Sequence, residues 1–132
     1  MQIQECQRYT DVKRDMDYVR DLLLQIEEDP RFDGTSWFTF TEKDELGSGH
    51  STEELGYHLA MLVEADFVRG QLGFGMPAIS KLTWEGHEFL DNIRDPGIWG
   101  KTKQRISGLT SVGLMIVGEI AKAEIKKQLG LP

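Results

Sequence analysis

Three histidines, one cysteine and two adjacent glutamate pairs are the residues of this chain best suited to chemistry. A metal site asks for histidine or cysteine ligands at tight spacing, i and i+4 on a helix or Cys-x-x-Cys in a turn. His50, His58 and His87 share no such spacing with one another or with Cys6, so no metal is expected. His58 and His87 read instead as hydrogen-bonded helix residues. Nucleophilic catalysis needs a serine or cysteine set in a motif that aims a base at it, and none is present. The pairs Glu27-Glu28 and Glu53-Glu54 fall where helix ends place carboxylates in any case. Gly47-Ser48-Gly49 and Gly73-Phe74-Gly75 match neither phosphate-cradling pattern, GxxxxGK[ST] or GxGxxG. The residues thus predict no enzyme and no bound cofactor.

Something must then be bound rather than transformed, and the bulk properties narrow what. The chain has 132 residues, enough for a core without disulfides or metals, and is read as one domain. Its lone cysteine and the absence of a basic-then-apolar N-terminus suit a reducing, cytoplasmic setting. The uncharged aliphatic segment Ile106 to Gly118 is shorter than the roughly 20 residues a membrane span needs, so no membrane partner is expected. Net charge is −7 and unevenly placed. Residues 1–66 hold 6 Lys/Arg against 16 Asp/Glu, whereas residues 67–132 hold 9 against 6. A solvated acidic surface explains this; alternatively the first half repels nucleic acid and leaves phosphate contacts to the second.

The positioning elements centre on Ser51 to Val68, STEELGYHLAMLVEADFV. Ser51 is an N-cap, Glu53 and Glu54 occupy the positive end of the helix dipole, and Leu55, Leu59 and Leu62 recur at helical spacing. Phe67-Val68 then opens an extended run to Leu72. A Gly/Pro-rich tip, Gly73 to Pro77, and a return strand, Ala78 to Leu82, complete a hairpin. A helix handing on to a hairpin is the second half of a winged helix-turn-helix. The expected fold is therefore α+β, a winged-helix core over residues 10–95 with a β-hairpin wing and a C-terminal helical extension over 98–130.

Upstream, Thr10-Asp11 caps a helix predicted over 12–29, with Val12, Met16, Val19, Leu23 and Ile26 in one stripe. Burying five such side chains contributes on the order of 8–15 kcal/mol before chain entropy is subtracted. Ser36 to Thr41 reads as a strand with Trp37, Thr39 and Thr41 on one face and Phe38 and Phe40 on the other. Glu42 to His50 is a loop with room for about two helical turns at most. Downstream, Thr83 caps a helix from Trp84 to about Ile93, Asp95-Pro96-Gly97 breaks it, and a short helix runs from Ile98 to Ile106. The last helix, from Thr110 or Ser111 to Leu129, is apolar nearly all round near Val112, Met115 and Ile116. Beyond Ile120 it becomes amphipathic, with lysines at its C-terminal end. It must dock on its own domain or on a second copy; both stay open.

Two stretches carry a resemblance: Lys13-Arg14-Asp15-Met16-Asp17 running on to Ile26-Glu27-Glu28, and Lys81-Leu82-Thr83-Trp84-Glu85-Gly86-His87-Glu88-Phe89-Leu90-Asp91, with Tyr57-His58-Leu59 between them. From about Asp11 to Leu131 the chain resembles a family of small bacterial and prophage-borne proteins known as domain of unknown function 2513. More loosely, Leu-Thr-x-x-Gly-x-x-Phe-Leu after a hairpin is similar to bacterial winged-helix regulators. The resemblance implies a winged-helix fold in a mobile-element setting, with Gly86 letting its helix approach the sheet and Phe89-Leu90 filling the core. It implies no activity, ligand or catalytic residue.

Winged helices read DNA by laying the second helix in the major groove, with Arg, Lys, Asn or Gln at base edges. Here that helix has none of the four, and carries Glu53, Glu54 and Glu64. Carboxylates beside phosphates repel, and no cation on the helix releases counterions. Candidate phosphate contacts are left to Arg69 and Lys81 in the hairpin and to Lys101, Lys103 and Arg105 beyond it. Tyr57, Met61, Phe74, Met76 and Trp99 suit a protein partner at least as well, with simple core packing the commoner role for each; Val112, Met115 and Ile116 on the last helix are further candidate contacts. The expected function is macromolecular binding without catalysis, to a protein or to a second copy. A DNA-binding regulator using the hairpin and the segment 101–105 is the alternative. An acidic DNA mimic that occupies a basic protein is the third.

Overall fold

A computed structural model describes residues 13–41, 44, 49–110 and 112–132. These build a mixed α+β protein with five helices and one three-stranded antiparallel sheet among the described residues. The chain falls into two compact units, Met1–Gly86 and His87–Pro132.

In the first unit, helix α1 spans Met16–Glu28 and is capped by Asp15, whose carboxylate accepts the Tyr18 amide at 3.2 Å. The predicted start at residue 12 gives way to this cap, since an aspartate side chain satisfies an otherwise orphan amide; Val12 lies outside the described residues. The predicted stripe is kept: Val19, Leu23 and Ile26 are buried, joined by Tyr18 and Leu22. After α1 the Arg31 guanidinium bridges Asp29 at 2.8 Å and Asp44 at 3.0 Å. Phe32, beside it, packs edge-on to Phe38, with centroids 5.9 Å apart.

Strand β1 is only Phe38–Thr39, shorter than the predicted 36–41. Alternation nevertheless extends past the paired residues: Phe40 is buried while Trp37, Thr39 and Thr41 are exposed. Helix α2 spans Thr52–Glu64 and closes with a full capping box between Ser51 and Glu54. It ends on Asp66 at φ 61, with the Phe67 amide donating to Leu62 O at 2.9 Å and the Asp66 amide to Val63 O at 3.0 Å. This is a Schellman ending with aspartate in the left-handed position usually held by glycine.

Strands β2 (Val68–Gln71) and β3 (Ala78–Leu82) form the hairpin, and β3 also pairs with β1, giving the order β1-β3-β2. A bulge between Arg69 and Gly70 shifts the register, so that Arg69 faces Lys81 and Gly70 faces Ile79. Gly70 permits α2 to approach: a Cβ there would lie 2.4 Å from Val63 Cγ2. Helix α3, Trp84–Ile93, begins where the Thr83 amide donates to Phe67 O at 3.0 Å and the Thr83 hydroxyl donates to Asp66 O. The same hydroxyl caps α3 by accepting the Gly86 amide at 3.0 Å. A Cβ on Gly86 would lie 1.9 Å from Phe67 O, so the close approach expected of this glycine is present.

The boundary between units falls inside α3. In the second unit, α4 (Pro96–Ile106) is capped by Asp95, with proline in its first turn. Helix α5 spans Leu114–Leu129, three or four residues later than predicted. Gly113 is its N-cap and offers no side-chain bond, and Ser111 lies outside the described residues. Gly130 ends α5 at φ 73, with Leu131 N donating to Lys126 O at 2.7 Å. Leu114, Val117, Gly118 and Ala121 form its buried stripe, and Gly118 faces the Phe89 ring. No helix among the described residues is long and apolar enough to cross a membrane.

Candidate interaction surface

The α2 helix has a buried side and an outward side, and the periodicity that makes one makes the other. Leu55, His58, Leu59 and Leu62 point inward. Outward lie Glu53, Tyr57 and Glu64, with Gly56, Ala60 and Met61 half-buried among them. Tyr57 is 42% exposed, and Met61 follows it at i+4 on the same face. Met76 from the hairpin tip comes to the same place, its sulfur 3.8 Å from where a Gly56 Cβ would stand. A larger residue at 56 would meet that thioether. At the tip itself Phe74 is fully exposed (108%) and Leu72 is exposed as well. Tyr57 and Met61 thus share the outward face of α2, Met76 packs beside Gly56, next to Tyr57 in the chain, and Phe74 stands exposed on the hairpin tip.

The N-terminus of α2 is held by a cluster that sequence reading missed. His58 is 0% exposed. Its Nδ1–H donates to Glu54 O at 2.7 Å, and its Nε2 accepts the Asp15 amide at 2.9 Å. Those two bonds assign the neutral Nδ1–H tautomer. The ring therefore ties the start of α1 to the first turn of α2. Tyr18 lies beside it, centroid to centroid 4.8 Å, and stacks on His50 at 3.7 Å with rings 6° from parallel. His50 Nδ1 in turn donates to the Glu54 carboxylate at 3.0 Å. That bond, with the Ser51 amide, holds the Glu54 carboxyl below its usual range. Burial, then the nearby Glu54 and Asp15 charges, pushes the Tyr18 phenol up to about 12. The cluster couples aromatic rings to a cap; it is geometry for holding a helix in place. Among the described residues no three His, Cys, Asp or Glu side chains converge as metal ligands would.

The cations proposed for phosphate divide into two places. In the first unit Arg69 stacks over Trp37 at 5.7 Å, and Lys81 lays its stem against Gly34. Both line a shallow cleft of about 330 Å³ with Asp66 and the exposed Trp84. In the second unit Lys101, Arg105 and Lys127 line a cleft of about 400 Å³ between α4 and α5. Arg105 there bonds the nearly buried Glu124 at 3.1 Å. Lys103 points elsewhere, its ammonium 5.8 Å from the Trp99 ring. Trp99 itself is buried, which corrects its reading as an exposed partner contact: the indole fills the side of α4 that also buries Ile98 and Thr102. Val112 is half-buried, while Met115 and Ile116 are 73% and 54% exposed.

The class these features define is a small α+β protein presenting apolar, acid-flanked surface. The chain belongs to the family described as Hypothetical protein (DUF2513), which it matches over residues 13–113. An uncharacterized protein of Haemophilus influenzae is 28% identical over 127 residues, covering 89% of this chain and 99% of its own. No solved structure matches. The match agrees with the resemblance carried by the Lys13 to Glu28 and Leu82 to Asp91 stretches.

Proposed function

We propose that this protein is a non-enzymatic winged-helix module that binds another protein, or a second copy of itself, through the outward face of α2 and the hairpin tip and through α5. The observation that carries this is the outward face of α2, where the exposed Tyr57 and the half-buried Met61 lie between Glu53 and Glu64, with Met76 of the hairpin tip reaching α2 at Gly56. Aromatic and methionine side chains are enriched in interface cores, and methionine adapts its shape to a partner. The order α2-β2-β3-α3, with the hairpin beside α2, supports the winged-helix reading; fold alone assigns no ligand.

Against a DNA groove the same face has the wrong sign. Each carboxylate would face phosphates without a neighbouring cation on the helix, and no Arg, Lys, Asn or Gln there offers the bidentate bonds that read base edges. The test is an electrophoretic shift assay with duplex DNA at about 50 mM salt, where phosphate-gripping proteins are retained most strongly. The protein is expected to leave the duplex unshifted. A shift that Tyr57→Ala abolishes would overturn the reading.

A second reading rests on the α4–α5 cleft. Lys101 and Lys127 line it beside Arg105, which Glu124 already engages, and a DNA-binding regulator would use the two lysines for phosphate. It predicts retention that falls steeply with salt and disappears when Lys101 and Lys127 become alanine.

A further inference from the structure

We infer that the outward face of α5 is the contact between two copies of this chain, crossing antiparallel at Ala123; this rests on the protein-binding reading and names its partner. Helix α5 spends one side on its own unit, burying Leu114, Val117, Gly118, Ala121 and Glu124. The other side is exposed, yet it begins with Met115 and Ile116 and ends with the exposed Leu129. Between these apolar ends lie Glu119, Lys122 and Lys126, all exposed and none with an ion-pair partner among the described residues; Lys122 flanks the crossing, its long stem free to turn its ammonium out to water. Ala123 sits between Glu119 and Lys126 on the same side, exposed and small.

That order is complementary to itself when reversed. About Ala123, Glu119 stands four residues toward the N-terminus and Lys126 three toward the C-terminus. At about 1.5 Å per residue the two lie at nearly equal distances from the crossing. Two antiparallel copies therefore set Glu119 of one against Lys126 of the partner subunit, and the reverse contact repeats it by symmetry. The same register carries Met115 and Ile116 toward the partner's Leu129. Ala123 on the partner's Ala123 leaves room for the backbones to approach at the centre. A parallel arrangement would oppose like charges and separate the apolar ends from one another's company. Pairing of this kind converts an unpaired charge into a reciprocal one, which fixes register and partner.

The test uses the full chain in light scattering at concentrations up to about 1 mM, the dissociation-constant scale of weak association. The wild type is expected to dimerise. Glu119→Lys and Lys126→Glu, each alone, put like charges at both symmetric contacts and are expected to raise the dissociation constant at least tenfold. Mixed one to one, the two variants are expected to form a heterodimer, because each supplies the sign the other lacks. The double variant E119K/K126E is expected to regain self-association. A wild type that stays monomeric, or single variants that dimerise unchanged, would overturn the inference. So would a mixture that fails to associate. A monomer that binds a foreign protein lost on Tyr57→Glu would leave the protein-binding reading standing while this contact fell.

Discussion

His58 shows how much one side chain can decide. Both ring nitrogens are engaged, one receiving the Asp15 amide and the other donating to Glu54 O, across 43 positions of sequence. Replacing it with leucine fills the space but leaves the Asp15 amide without its acceptor. The expected loss is about 2–4 kcal/mol, from a stranded polar group and imperfect packing, read by urea denaturation. A second residue-scale expectation concerns acid. The Arg31 hydrogen bonds hold Asp29 below its ordinary 3.8, and the Thr41 amide, then Arg31, does the same for Asp44. A carboxyl depressed in the folded state adds stability above its unfolded value, and this is lost as pH falls through the folded one. Stability should thus decline between about pH 5 and 3, and decline less steeply in Arg31→Ala, as measured by denaturation across that range.

At the scale of elements, the turn from α2 into the hairpin and the entry to α3 form one joint. Asp66 and Phe67 carbonyls accept from Thr83, and Gly86 lies under Phe67. Gly86→Ala places a methyl 1.9 Å from the Phe67 carbonyl oxygen, far inside van der Waals contact with backbone, so the helix must shift. A loss of about 3 kcal/mol or more is expected, toward the upper end for overpacking because backbone rather than side chain must yield; thermal unfolding would register it. Gly86 was legible in the sequence because a glycine inside a helix pattern needs a packing reason. So were the capping box of α2, the hairpin with its Gly/Pro tip, and the Val19, Leu23 and Ile26 stripe. The starts of α1 and α5 were not. Thr10-Asp11 and Thr110-Ser111 offered caps of the right chemistry, but the two helices are capped at Asp15 and Gly113. The strand over 36–41 pairs only at Phe38 and Thr39, against Ile79 and Ala78, and the extent of pairing is nothing a local preference reveals.

The candidate site divides along the same line. The lack of cations on α2 and the exposure of Tyr57, Met115 and Ile116 follow from composition and period. The meeting of Met76 with Gly56 does not, since the hairpin's path over α2 is set by the Arg69–Gly70 bulge and the Gly70 contact with Val63. Trp99 was misplaced because an aromatic in a short helix gives no sign of which side it faces. The His50–Tyr18–His58 cluster stayed hidden for a plainer reason: its members are far apart in sequence, and only the register of α1 on α2 brings them within stacking distance.

For the whole molecule, net charge of −7 keeps the chain away from polyanions in general, and the acidic excess before residue 67 concentrates that effect. Family membership adds no ligand, so surface chemistry carries the proposal that the face around Tyr57 meets protein. The most direct measurement places a photo-crosslinking amino acid at position 57 of the full chain in living cells and asks what becomes attached. The account predicts adducts that protease removes and nuclease leaves intact, reduced when Met76 becomes glutamate. Adducts that nuclease removes would put nucleic acid on that face and contradict it.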